Sequence, residues 1–491
     1  MNFNDYASLL KNESRVTRTE NGARAYDTTL NACVDLFGLV GALRNAEDGR
    51  VTELFERAYR ENPTYAMRIL FYARDVRGGL GERKVFRTLL RYIAENHTEA
   101  LRPYVKDIPY FGRFDDWYEL VDTPLESAMW TAMQNQLAED IINKIAGEPC
   151  SLLAKWLKTA DASSSKTRKL GIRTALSLGL SVYDYKRIVR ALRKYIKVIE
   201  PLMSTNKWGE IDYEAVPSKA MNNYRNAFGR HDEARFNEYL ASLEKGEAKI
   251  NASTLFPYDI VQKVFKGERG KVLEEQWKSL PNYVEGDNSV LIMADTSGSM
   301  FWNGGGRPAA TAVGLALYFA ERNKGAYHGM FMTFSSHPQI QLIEGNSLYE
   351  KIDNLSRADW GGSTNLEAAL RKILDVAVRN NVPRNEMVKS LVIVSDMEIN
   401  RCTHEKENFY LDMRARFNEA GYDIPNIVFW NVESRHDIFH ADANQAGVQL
   451  CSGQSAAVFK TLMGSIGLNA IEYMEKVLNS ERYKRISVGR Y

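Results

Sequence analysis

The sequence predicts two structural classes in one chain, an N-terminal α-helical part and a C-terminal α/β part built on a doubly wound parallel sheet. Two observations predict the sheet. Val290-Leu-Ile-Met293 and Leu391-Val-Ile-Val394 are continuous apolar runs of strand length, as in strands covered on both faces, and each leads into a carboxylate, Asp295 and Asp396. Around these runs, helix-like stretches (309–320, 366–378, 410–420) alternate with short strand-like ones (329–334, 339–343, 426–430), the order of a doubly wound fold. A third observation predicts helices upstream. Phe86, Leu89, Leu90 and Ile93 recur at helical spacing, and residues 65–75 are equally helix-like.

Taken in order, the chain opens without the basic start and apolar run of a signal peptide, and no stretch is long and apolar enough to span a membrane. A soluble, cytoplasmic protein without a membrane partner is expected. Cys33, Cys150, Cys402 and Cys451 stand apart from one another, which argues against a structural zinc site or a disulfide framework. The two helical stretches flank Arg77-Gly-Gly-Leu-Gly81, and no Gly-Lys-Ser/Thr follows the glycines, so a tight interhelical turn is expected there and not a phosphate loop. Irregular helix pairs of this kind fit a HEAT-like repeat region. A change of composition at 281–288 divides the chain into residues 1–283 and 284–491.

Charge is balanced overall at +2 but polarised along the chain. Residues 151–200 hold twelve Lys or Arg against three acids, while residues 101–150 hold four against nine. Lys186, Arg190, Arg193 and Lys197 recur at intervals of four, three and four, one stripe of a helix, with Ile188, Leu192, Tyr195 and Ile199 opposite. Arg187 and Lys194 add to the positive side. Upstream, Lys155-Trp156, Lys158, Lys166, Arg168 and Lys169 lie among serines, and Arg77, Arg83, Lys84 and Arg87 form a second cluster. Cations, hydroxyls and aromatic rings are the groups that bind phosphates and single-stranded bases. A solvated helix face beside a polar loop would read the same way.

Asp295, Ser297 and Ser299 place a carboxylate and two hydroxyls at alternate positions after a buried strand, a hard donor set suited to Mg²⁺ or Mn²⁺. This D-x-S-x-S spacing resembles the metal-ion-dependent adhesion site of von Willebrand factor A domains. The resemblance implies two further ligands, Thr364 in Gly361-Gly-Ser-Thr364 and Asp396 at the end of the second run. Ser363 interrupts the family's Gly-Gly-Thr pattern, so which of Ser363 and Thr364 faces the ion stays open. Helix capping would account for Asp295 and Thr364 singly but not for two strands ending in aspartate. His436 and His440, four apart, form a weaker candidate pair, and Glu398 could reach the metal or pair with an arginine. No nucleophile elbow, zinc-protease motif, kinase set or paired glycosidase carboxylates are present, so no catalytic residue is assigned and the protein is expected not to be an enzyme.

A long helical region followed by such a domain resembles the Ro ribonucleoprotein (TROVE) architecture. Arg74-Asp-Val-Arg-Gly-Gly-Leu-Gly-Glu-Arg83, Tyr110-Phe-Gly-Arg-Phe-Asp-Asp-Trp117 and Val394-Ser-Asp-Met-Glu398 resemble more closely a related domain-of-unknown-function family with the same two parts. The Ro resemblance implies an RNA-binding protein, holding single-stranded ends or small structured RNA on its basic helical surface, with a metal site for a protein partner. The alternative is a protein-interaction scaffold that binds no RNA and grips a partner's acidic residue through the metal.

Overall fold

The computed structural model describes residues 14–284, 289–302, 305–357, 364–401 and 409–489. The described residues open with a short antiparallel pair, β1 (Val16–Arg18) and β2 (Arg24–Tyr26), followed by α1 (Ala32–Leu39), whose N-cap Asn31 side chain accepts from the Val34 amide. Two helices flank the glycine turn, in which Gly81 takes φ +67°: α2 (Pro63–Arg74), buried nearly all round from Ala66 onward, and the amphipathic α3 (Lys84–Asn96). Gly79 has no room for a side chain, because a Cβ there would lie 2.1 Å from the Tyr72 carbonyl oxygen. The turn is thus interhelical and tight, as its glycines predict.

The basic block forms α4 (Ser165–Ser177) and α5 (Val182–Tyr195). The buried face of α5 is Tyr185, Val189 and Leu192, rotated from the face expected; Ile188 is only half-buried and Tyr195 is exposed. Lys197 and Ile199 lie beyond the end of this helix, Lys197 in the left-handed region at φ +52°.

After α6 (Pro257–Phe265), the C-terminal part is a six-stranded sheet in the order β5-β4-β3-β6-β7-β8. Its strands are β3 (Val290–Ala294), β4 (Met330–Thr333), β5 (Ile340–Leu342), β6 (Ser390–Ser395), β7 (Asn426–Asn431) and β8 (Val448–Ser452). All neighbours are parallel except β5, which pairs antiparallel at the edge. β3 and β6 are buried along their whole length and pair in register from Val290–Ser390 to Ala294–Val394. Chain direction across the sheet reverses between these two strands, which puts the switch point of the fold at their carboxyl ends.

Three helices complete the layers used below: α7 (Gly298–Trp302), α8 (Arg307–Arg322) and α9 (Leu366–Asn380). α8 is buried over nearly its full length, and Gly314 lets α6 cross it closely, since a Cβ there would meet the Pro257 backbone at 3.2 Å. The helical and sheet regions share one hydrophobic core that includes Phe37, Phe71, Leu291, Val392 and Trp430. α1 lies on β8, and the last labelled helix, α10 (Ala470–Leu478), packs on α1 and α2. Residues between Ile199 and Val272 enclose a second, smaller core.

Candidate metal centre and basic surface

The pairing of β3 with β6 carries Asp295 and Asp396 to one edge. The Asp295 amide still donates to Val394 O (2.9 Å), so the carboxylate leaves the sheet at the last rung of the ladder. Its Oδ1 accepts from the Ser297 amide (2.8 Å) and its Oδ2 from the Ser395 hydroxyl (2.6 Å); the hydroxyls of Ser297 and Ser299 are 3.1 Å apart. Asp295 is fully buried, and burial together with the Asp396 charge pushes its carboxyl up to about 6. Two neighbouring carboxylates beside two hydroxyls make a donor set that suits a hard dication. The buried Thr296 hydroxyl has no hydrogen-bond partner among the described residues.

Thr364 reaches the same edge from the start of α9, but its hydroxyl lies 3.2 Å from Glu398 O and 3.1 Å from Asn400 Oδ1, and accepts from the Asn400 amide at 3.0 Å. The threonine therefore ties the loop after β6 to α9. Ser363, the other candidate hydroxyl, lies outside the described residues, as does Cys402. Cys33, Cys150 and Cys451 are free thiols.

Four neighbours of the cradle escaped the sequence reading. Ser395 was visible as the residue before Asp396. Arg435 donates to Asp396 Oδ2 (3.0 Å) and to Glu20, whose other carboxylate oxygen lies 3.1 Å from His436 Nε2. Asn400 joins Thr364 as described. Glu20 sits in the turn between β1 and β2, and this turn is laid on the loop after β6: Thr19 Oγ1 donates to Ile399 O (2.6 Å), Glu20 N to Glu398 Oε2 (2.6 Å) and Asn21 Nδ2 to Glu398 O (2.5 Å). Glu20, Glu398 and His436 thus place three ligand atoms within 4.8 Å of one another. The pair expected from His436 and His440 does not form. His440 packs half-buried against Phe429 with Nε2 3.0 Å from Met397 O, and desolvation of the ring holds it down at about 4.

The basic residues divide by what their charged ends touch. Arg193 is not on the wet face: it donates to the carbonyls of Ala154 and Leu157 at 2.8 Å, holding the short helix Leu153–Trp156. Arg87 is likewise internal in role, paired with Asp115 (2.8 Å), Asp116 (2.7 Å) and Glu119 (3.3 Å). Lys155 pairs with Glu200, Lys186 with Asp161, Arg187 with Asp184 and Lys84 with Asp48, while Arg77 and Arg168 each donate to a carbonyl. Lys158 lies over the Tyr118 ring. Lys166, Lys169, Arg190, Lys194, Lys197 and Arg83 are exposed and make no ion pair among the described residues. Arg113, unmarked in the sequence, lies 4.2 Å from the centre of the Trp156 ring, with Lys155 5.8 Å from the same ring. Burial holds the Arg113 guanidinium below its ordinary value. No helix among the described residues is long and apolar enough to cross a membrane.

Residues 289–487 match a family described as a domain of unknown function (DUF7788), and residues 19–109 and 148–288 match another of the same kind (DUF2828). An uncharacterized protein of Acanthamoeba polyphaga mimivirus is 29% identical over 502 residues, spanning 94% of this chain and 86% of its own. Among solved structures, that of the Deinococcus radiodurans RO (RSR) protein is similar over 80% of this chain and 93% of its own, at 13% identity and a TM-score of 0.37. The chain is therefore similar, part by part, to two families defined by sequence alone, joined in the order that its helical and α/β regions occupy.

Proposed function

We propose that this is a non-enzymatic RNA-binding protein of Ro type, acting in the reducing cytoplasm, with a divalent-cation site that serves a partner. What carries the RNA reading is the group of exposed cations without acidic partners on and beside α4 and α5, next to the Arg113–Trp156 stack. Exposed cations beside a partly exposed aromatic ring suit single-stranded RNA. At the sheet edge, Asp295, Ser297, Ser299 and Asp396 would hold Mg²⁺ or Mn²⁺, with Thr364 supporting the loop or adding its hydroxyl. Such an ion, when bound, supplies open coordination positions for water or an incoming anionic group.

The test is binding of single-stranded RNA across a salt series. Neutralisation of about five phosphates gives a log-log slope near −3.5, from about −0.7 per contact. Combining Lys166→Glu, Arg190→Glu and Lys194→Glu is expected to weaken binding by more than tenfold and to flatten the slope by about 2. Unchanged affinity and slope would remove RNA from this surface.

A further inference from the structure

One turn past the hydroxyl pair, α7 ends in two aromatic side chains that the core does not take. Met300 is fully buried, whereas Phe301 is 48% and Trp302 86% exposed. Tryptophan is seldom so exposed without a use, because it leaves a large apolar area in water. Its place is specific. Ser299 and Trp302 are three apart on one helix and so share a face. The indole lies back over Gly298, where a Cβ would be 3.4 Å from Nε1. Trp302 thus stands over the backbone of the cradle itself. Phe301 leans the other way, onto the half-exposed Phe265 of α6, with ring centres 6.4 Å apart, so the apolar rim continues across two elements.

Charge narrows what could cover this rim. A dication would neutralise Asp295 and Asp396, leaving Glu20 and the buried Glu398 against Arg435. Successive phosphates of a polyanion would meet the exposed Glu20 carboxylate. A polypeptide that brings one carboxylate among apolar side chains would not. We propose that Phe301 and Trp302 form, with the cation, a composite docking surface for a partner polypeptide, in which the ion takes an Asp or Glu and the rings take a large apolar side chain beside it. This rests on the reading of the Asp295 cradle as a divalent-cation site.

The test selects a random-peptide phage library on the full chain in Mn²⁺ and elutes with EDTA. Eluted peptides are expected to share an Asp or Glu adjacent to Leu, Phe or Trp. A fluorescein-labelled, amidated peptide from that pool should bind at least tenfold more weakly to the Trp302→Ala protein, while calorimetry gives that variant the wild-type heat of Mn²⁺ binding. Asp295→Ala should lose both ion and peptide. Equal peptide affinity in Trp302→Ala, or eluted peptides with no shared apolar neighbour, overturns the proposal while leaving the ion site intact. So does Mn²⁺-dependent binding of oligouridylate, or Mn²⁺-dependent self-association, that is lost in Trp302→Ala. Absence of a Mn²⁺ binding heat in the wild type overturns the cation reading itself.

Discussion

Asp295 is the residue at which burial and like charge meet. Burial first, and the Asp396 charge second, raise its carboxyl from an ordinary 3.8 to about 6. A carboxyl whose folded value exceeds its unfolded one stabilises the fold at low pH, and that contribution is lost as pH rises through about 6. Without divalent ions, Asp295→Asn is therefore expected to melt above the wild type at neutral pH and level with it near pH 4, by scanning calorimetry. Millimolar Mn²⁺ should reverse the order at neutral pH by stabilising only the wild type. A variant that melts below the wild type throughout would show the carboxylate is held by something other than a cation site. Asp295, Ser297, Ser299 and Asp396 were legible because each follows the end of an apolar run. Arg193 and Arg87 were not, since a guanidinium on a helix reads alike whether it meets water, the Ala154 carbonyl or Asp116.

Among elements, the turn from α2 to α3 joins the most partners. Arg74 and Arg87 both bind Asp116, at 2.7 Å each, and a Cβ on Gly112 would intrude on this pair at 2.4 Å from Asp116 Oδ2. Burial would raise Asp116, but the two guanidinium groups outweigh it and hold it below its ordinary value. Arg74 and Asp116 are 2% and 0% exposed, so no water screens the loss of one partner. Asp116→Asn is expected to cost about 3–5 kcal/mol in urea unfolding, as for a buried pair broken on one side. A cost below about 1 kcal/mol would mean that the network relaxes into solvent. The two arginine-, glycine- and aspartate-rich motifs thus describe a structural joint. From the same turn, Asp75 accepts from Arg482 (2.7 Å) and Tyr483 (2.8 Å), and Glu82 from Arg44, which also reaches Gln454 (2.8 Å). The turn itself was legible in its glycines. Its partners were not, because they arrive from up to 408 residues away. β8 escaped for a local reason: Val448-Gln-Leu-Cys-Ser is short and carries a buried glutamine whose amide nitrogen donates to Ser465 O.

For the whole molecule, the decisive contact is between α1 and the end of β8. A Cβ on Gly41 would lie 2.6 Å from Gly453, backbone against backbone, so nothing there can give way by rotating. Gly41→Ala is expected to destabilise by about 1–3 kcal/mol, as overpacking does, and to lower stability at probes in the helical and sheet regions together. Loss of helical signal with the sheet unaffected would show that the shared core is not one cooperative unit. The alternation of strands and helices was legible as a doubly wound sheet, and the parallel order of β4, β3, β6, β7 and β8 agrees with it. What periodicity does not encode is that α1 closes β8. The turn at Glu20 has the same character, and it bears on biosynthesis. Glu20 leaves the ribosome 415 residues ahead of Arg435, a delay on the order of tens of seconds at usual elongation rates. Until the loop after β6 and then Arg435 have emerged, the contacts that hold the hairpin at this rim cannot form. The acidic rim is sealed by a hairpin made hundreds of residues before the loop it covers.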